Sequence, residues 1–373
     1  VAGGDQVRTH HCREEGAVMK ALVLSGGAGT RLRPFSYSMP KQLIPIVNKP
    51  VLEYALENIV ALGVTEIAVI VGDWAPQIAE VLGDGSRFGA RITYVHQERP
   101  LGLAHCVALA RPFLGDDDFV MYLGDNMLPQ GIGGIAEQFR TRRPDAQVVV
   151  SKVPDPRAFG VAELAPDGSV MALTEKPQQP RSDLALIGVY FFTAAIHRAV
   201  AAIDPSARGE LEITDAIQWL VSHGFDVRAG EYDGYWKDTG QADDVLECNR
   251  RLLGELTARI DGEVDGTSEI IGPVVIEAGA RVLRSRIVGP VVIGAGSVVE
   301  DSRIGPDVSI ADDCVLRATQ LADSIVMTGA SITQVPGLHG SLIGRSASVG
   351  PSDHAQAHHR LVVGDHTRVE VAA

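Results

Sequence analysis

Ala21-Leu22-Val23-Leu24-Ser25-Gly26-Gly27-Ala28-Gly29-Thr30-Arg31-Leu32-Arg33-Pro34 is the stretch on which the reading of this chain turns. Its apolar start, residues 21–24, has the length and texture of a buried parallel strand. The strand runs into a loop where Gly26, Gly27 and Gly29 let backbone N–H groups crowd together, the makings of an anion nest. Two phosphate-binding loops of similar look are excluded. No Lys-Ser or Lys-Thr follows the glycines, as a P-loop requires. Leu32 stands where a dinucleotide fingerprint needs its third small residue. Shortly afterwards Pro40-Lys41-Gln42-Leu43-Ile44-Pro45 sets a lysine in a loop that prolines stiffen.

The 373 residues exceed one ordinary domain and suit two. Acidic side chains number 47 against 33 basic ones, a net charge of −14, which argues against general affinity for nucleic acid. Arg31, Arg33, Lys41 and Lys49 nevertheless crowd into the opening region with no carboxylate among them, which suggests a focused site for a small polyanion. Cys12, Cys106, Cys248 and Cys314 have neither zinc-ligand nor disulfide spacing, and a reducing cytoplasm fits them. No apolar run approaches the roughly 20 residues that a membrane helix needs, so no membrane association is expected. Residues 1–18 lack the apolar core of a secretory signal, and Met19-Lys20 directly precedes the first strand. They are expected to be a disordered leader from an upstream start.

Strand and helix signals then alternate. Residues 51–62 carry helical spacing and end at Gly63, and residues 66–71, 91–97 and 119–123 read as short buried strands. Residues 147–153 and 186–192 extend the sheet. The pattern predicts an α/β domain over residues 19–242: a Rossmann-like, mostly parallel but mixed sheet with helices on both faces. Ligands of such sheets bind outside the carboxyl ends of the strands, where the glycine loop, Gln97 and Asp125 all fall. A connecting helix is expected within residues 243–262. Beyond it, over 263–350, large aliphatics recur every six residues at Ile270, Ile276 and Val282. The set repeats 17 residues later as Ile287, Ile293 and Val299, then as Ile304, Ile310 and Leu316, and continues at Leu321 and Met327. Three six-residue sides, one a residue short, make one coil of a triangular solenoid of four to five coils. The tail, 351–373, carries His354, His358, His359 and His366 without carboxylate or cysteine partners, and reads as a solvated segment rather than a metal site.

The opening motif, Gly26-Gly27-Ala28-Gly29-Thr30-Arg31-Leu32-Arg33-Pro34 followed by Pro40-Lys41-Gln42-Leu43-Ile44-Pro45, resembles the signature of the sugar-nucleotidyltransferases, over about residues 19–245. The periodic C-terminal region resembles the left-handed parallel β-helix of hexapeptide-repeat proteins. Within the family, Gln42 and the segment Arg208-Gly209-Glu210-Leu211-Glu212-Ile213-Thr214-Asp215 are closest to the thymidylyltransferase branch, in the long form that carries such a solenoid. The resemblance implies dTTP and glucose 1-phosphate as substrates, with UTP- or ATP-dependent sister activities as the alternative. An acyl-transferring solenoid and a non-catalytic regulatory subunit are further alternatives. The second predicts erosion of Arg31, Lys41, Asp125 or Asp238, and all four are present. One departure stands out: Leu101-Gly102-Leu103-Ala104 is followed by His105, where the branch has glutamine.

Joining a nucleoside triphosphate to a sugar 1-phosphate needs cations, a metal and alignment more than a general base, because the attacking phosphate is already ionised. Arg31 suits the leaving β- and γ-phosphates and Lys41 the α-phosphate. By the family's motifs, Asp125 and Asp238 (in Trp236-Lys237-Asp238-Thr239-Gly240) hold one Mg²⁺; an ordinary turn aspartate and a simple partner for Lys237 are the plainer readings. Leu24, Gly26, Gly27, Gly29, Thr30, Gln42, Gln97 and Gly102 form the expected nucleotide half. Gly160, Glu175, Lys176, Tyr190 and Arg208 form the sugar-phosphate half, with core packing as the plainer reading of Tyr190. Lys176 is also counted among the catalytic residues. A homo-oligomer is expected.

Overall fold

The computed structural model describes residues 19–27 and 29–351. The expected leader, 1–18, and nearly all of the tail lie outside them. Nine strands form one sheet: β1 (Lys20–Leu24), β2 (Glu66–Val71), β3 (Arg91–His96), β4 (Phe119–Leu123), β5 (Ala146–Lys152), β6 (Gly160–Leu164), β7 (Val170–Glu175), β8 (Leu184–Phe192) and β9 (Val227–Glu231). The order runs β7-β6-β8-β4-β1-β2-β3, with β5 also on β8 and β9 on β5. The block β4-β1-β2-β3 is parallel, whereas β8 is antiparallel to β4, β5 and β6. The sheet is thus mixed, as the sequence suggests.

Alternate residues of each strand face opposite layers. Ala21 and Val23 point into one core with Ile67, Val69, Leu52 and Leu56; Leu22 and Leu24 point into the other with Ala68, Ile70, Val107 and Ile217. Helices Val51–Val60 and Ile213–Ser222 supply these opposite layers. Burying both faces requires the continuous apolar runs that mark β1 and β2 in the sequence. Among the described residues, no helix is long and apolar enough to cross a membrane.

The C-terminal region is three parallel sheets of six, six and five very short strands. Together they form the prism of a β-helix. Ile270, Ile287, Ile304, Leu321 and Leu338 stack in one wall, and Ile276, Ile293 and Ile310 in another. Between corners runs a hydroxyl ladder that the aliphatic period does not reveal. The N–H groups of Ser285, Ser302 and Thr319 donate to the hydroxyls of Ser268, Ser285 and Ser302, 3.0, 3.0 and 3.1 Å away.

Two sequence expectations need adjustment. One coil has 16 residues, since Val308 pairs with Ser324. Val326, not Met327, therefore continues the inward stack. Ile325 and Met327 point outward and join the core of the N-terminal sheet domain. The connector 243–262 also divides: the helix is Ala242–Leu253, and Arg259–Ile260 already pairs with Val275–Ile276 as solenoid strand.

The two domains are clasped by a hairpin, Pro45–Ile46 with Lys49–Pro50. Its turn residues, Val47 and Asn48, both have positive φ (49° and 62°), as a type I′ turn requires. Val47 N–H donates to Asn249 Oδ1 (3.0 Å), which also accepts from Ser309 Oγ (2.7 Å), and Asn48 Nδ2 donates to the Ile310 carbonyl (2.7 Å). Arg250 adds an ion pair with Asp323 at 2.6 Å.

Candidate active site

The glycine loop leaves β1 at the carboxyl edge of the parallel strands, tied down by Ser25 N–H donating to the Ile70 carbonyl at 3.0 Å. Gly29 has φ 60°, and a Cβ there would stand 3.2 Å from Lys41 Cβ and 3.3 Å from Ser36 Cβ. The loop and the single turn Lys41–Leu43 therefore pack too closely for a side chain between them. Lys41 Nζ is ion-paired with Asp125 Oδ2. Burial pulls the Lys41 pKa down, but the charge and hydrogen bond of Asp125 and the charge of Asp238 outweigh it, and the pKa ends above its usual value. Arg31 Nη2 lies 3.7 Å from Asp238 Oδ2, in space that a Cβ on Gly240 would close.

Asp125 and Asp238 are 113 positions apart in the chain and adjacent in space. A two-residue antiparallel ladder sets Asp238 opposite Asn126. Thr239 reinforces it, its N–H and hydroxyl donating to the Asp125 carbonyl at 3.1 and 2.8 Å. Trp236 Nε1–H donates to Asn126 Oδ1 at 2.7 Å. Burial and the Asp125 charge push the Asp238 carboxyl up to about 6, against the pull of Lys41 and Arg31. Its Oδ1 is buried without a partner among the described residues. An orphaned carboxylate oxygen beside a second carboxylate is what one end of a divalent-cation site looks like, the remaining positions going to water and phosphate.

Two adjoining clefts open here. One, of about 380 Å³, is lined by Leu24, Gly26, Gly27, Gln42, Gln97, Gly102 and Cys106. The other, of about 450 Å³, is lined by Gly160, Glu175, Lys176, Tyr190, Arg208, Trp236 and Asp238. Gly27, Lys41, Leu103, Leu123, Asp125 and Glu210 line both. Lys41 and Asp125 thus sit on the seam between the expected halves. Gly29, Thr30 and Arg31 lie outside both linings, with Thr30 and Arg31 exposed at the rim.

In the second cleft, Arg208 is held by Glu212, with Nε and Nη2 at 3.0 and 2.9 Å from Oε1 and Oε2, and lies 3.6 Å from Glu175 Oε1. Glu175 also accepts from Thr214 Oγ1 at 3.1 Å and stands 3.5 Å from Lys176 Nζ. Gly160 is required by crowding, since a Cβ would fall 2.7 Å from Leu186 Cδ1 and Thr214 Cγ2. Tyr190 combines both of its readings. It is 3% exposed, stacks on Phe192 with centroids 5.9 Å apart, and still lines the cleft; burial pushes its phenol above the usual value.

Gly102 has a structural duty as well. Its φ is 104°, and a Cβ would lie 2.3 Å from the Leu211 carbonyl oxygen. Leu211 N–H donates to Leu101 O (2.8 Å) and Ala104 N–H to Leu211 O (3.0 Å), joining the turn of one cleft to the Arg208 segment of the other. Sequence reasoning missed the supporting residues Asn126, Thr214, Trp236 and Thr239, and Glu212 as the carboxylate that holds Arg208. Their only signal was membership of the motif segments. His105 is on helix Leu103–Leu109, outside the cleft lining, with Nδ1 3.0 Å from Gln97 Nε2. Among the described residues, Cys106, Cys248 and Cys314 are buried free thiols.

A mixed α/β sheet that gathers a glycine loop, a lysine and two carboxylates at the seam of two clefts defines an enzyme that brings two phosphorylated substrates together. The chain belongs to the nucleotidyl transferase family, whose model matches residues 20–255. It is 53% identical to a glucose-1-phosphate thymidylyltransferase of Streptomyces griseus, covering 95% of this chain and 100% of that one. It is 54% identical to one of Streptomyces antibioticus, covering 95% and 99%. A Bacillus anthracis structure provisionally named a glucose-1-phosphate thymidylyltransferase, in complex with a sucrose, matches with a TM-score of 0.58 and 33% identity over 62% of this chain and 94% of that one.

Proposed function

We propose that this chain transfers a thymidylyl group from dTTP to glucose 1-phosphate, giving dTDP-glucose and pyrophosphate. The carrying observation is the seam: Lys41 and Asp125 line both clefts, where an α-phosphorus and an attacking phosphate must meet. A phosphate oxygen of glucose 1-phosphate attacks the α-phosphorus in line. The new P–O bond forms as the bond to the β-phosphate oxygen breaks, and pyrophosphate departs with the electron pair. The near full-length relatives named above support this choice of substrates.

Within that reading, the first cleft takes the nucleotide, with the carboxamides of Gln42 and Gln97 turned to the thymine edge and the glycine loop on the phosphates. Lys41 holds the α-phosphate against the incoming phosphate, and Arg31 at the rim draws charge off the leaving pyrophosphate. In the second cleft Glu175 accepts from sugar hydroxyls, the Gly160 backbone approaches the ring, and Lys176 and Arg208 hold the sugar's phosphate. Asp125 and Asp238 would hold a divalent cation, Mg²⁺ being the expected one, and its charge neutralises the phosphates when it is bound. The solenoid's task is either homo-oligomer assembly or regulation of the site, and light scattering of the full chain against a version ending near Arg259 tests the first.

Pyrophosphate release from four NTPs against several sugar 1-phosphates, with Mg²⁺, tests the reading. Fast release with dTTP and glucose 1-phosphate supports it. Release with UTP or ATP but not dTTP moves the chain to a sister activity.

A further inference from the structure

Gln97 directly follows β3 on the floor of the first cleft, 7% exposed. Its Nε2 meets His105 Nδ1 at 3.0 Å, and its Oε1 lies toward Gly26, where a Cβ would come within 3.2 Å of it. A carboxamide presents an acceptor and a donor side by side, and a half-turn about its last bond swaps their order without changing shape. One order fits thymine or uracil, the acceptor taking N3–H and the donor meeting O4. The swapped order fits cytosine, the donor meeting N3 and the acceptor taking an N4 hydrogen. The two pyrimidines have nearly the same outline, so a freely turning glutamine accepts both.

His105 removes that freedom. Gln97 Nε2 has two hydrogens; giving one to Nδ1 leaves the other beside the Cys106 thiol, with Oε1, at the cleft wall where the base would lie. With the ring proton on His105 Nε2, Nδ1 accepts from Gln97 Nε2, and a swapped amide would set Oε1 lone pairs against the Nδ1 lone pair unless that proton moved to Nδ1. The ring is kept uncharged, because burial and the nearby Arg99 charge hold its pKa below the usual histidine value. His105 is carried on helix Leu103–Leu109, whose N-terminal neighbour Gly102 is pinned against Leu211.

We propose that His105, with its ring proton on Nε2, is a positioning residue for base choice: by accepting from Gln97 Nε2 at Nδ1 it holds the carboxamide in the order that reads thymine and rejects cytosine. The proposal rests on the reading that the first cleft receives the base of dTTP. It gives the departure at position 105 a task, in which the side chain reads the base through another residue and does not line the cleft.

The test uses the full chain and steady-state kinetics with dTTP and dCTP against glucose 1-phosphate. His105→Leu keeps the bulk and removes the acceptor. The dTTP-to-dCTP ratio of kcat/KM should fall about tenfold, the worth of one orienting hydrogen bond, with the change in KM more than in kcat. His105→Glu offers an acceptor that cannot donate when ionised, and should hold the ratio within about threefold of wild type. A folded, active His105→Leu with an unchanged ratio overturns the proposal, and so does an equal fall in both variants, the mark of a merely structural role. If His105→Leu does not fold, the glutamate variant decides, and loss of the ratio there overturns the proposal. Failure of wild type to use dTTP overturns the functional reading and this inference together, so the two failures are told apart by the wild-type lane.

Discussion

Replacing Asn249 by alanine should weaken the whole enzyme from a position outside both clefts. Asn249 is 1% exposed, and its Oδ1 accepts from Val47 N–H at 3.0 Å and from the fully buried Ser309 hydroxyl at 2.7 Å. Alanine leaves the buried Ser309 hydroxyl and the half-buried Val47 N–H unpaired, at about 1–3 kcal/mol each. It also frees a valine held at φ 49°, a region β-branched residues avoid. Relief of that strain returns about 1 kcal/mol, so the net cost should be about 3 kcal/mol. Thermal unfolding should then begin at least about 5 °C lower. The hairpin that Asn249 anchors begins two residues after Lys41–Leu43, so its release should also move Lys41 off the seam and lower kcat about tenfold. Ser309→Ala removes one donor and leaves Val47 paired, and should cost about 1 kcal/mol with kcat intact. Calorimetry and single-turnover pyrophosphate release on the three proteins decide it. An Asn249→Ala protein as stable and as fast as wild type would refute the coupling between solenoid and catalytic loop.

Other consequences can be checked alongside. Asp125→Asn and Asp238→Asn should each cut turnover at least about 100-fold with the fold intact by circular dichroism, since each removes a charge at the phosphate seam; near-normal rates in Mg²⁺ would remove the metal assignment. Gly102→Ala forces a Cβ to 2.3 Å from Leu211 O at φ 104°, and should cost about 3 kcal/mol or more in denaturant unfolding. Glu212→Gln should loosen Arg208 and raise KM for glucose 1-phosphate about tenfold with a smaller change in kcat. His197 is held down to about 4 by burial and the Arg111 charge, against an unfolded value of 6.5. The unfolded chain therefore binds the proton first as pH falls, and the stability present above about 6.5 is lost on the way down to about 4. Allowing for partial solvent access, about 1 kcal/mol should go between pH 7.5 and 5. His197→Phe should flatten that part of the curve of melting temperature against pH.

What the sequence by itself determined was everything that repeats or clusters locally. Buried strands needed apolar residues on both faces, and the runs at 66–71 and 119–123 coincide with β2 and β4. A 17-residue period marked the solenoid because each coil must stack like on like. The glycines, Lys41, Asp125 and Asp238 were legible as motif ends, because strand termini are where backbone and carboxylate can face a ligand. Only the tertiary structure decided which residues meet across long stretches of chain: Asp238 beside Asn126, Leu211 against Gly102, and Asn249 under Val47. It also decided that the 16-residue coil turns Ile325 and Met327 into the neighbouring domain. The physical reason is range. Burial repeats with the local geometry of strand, helix or coil and leaves a periodic trace, whereas the choice of one polar partner is made by packing and leaves none.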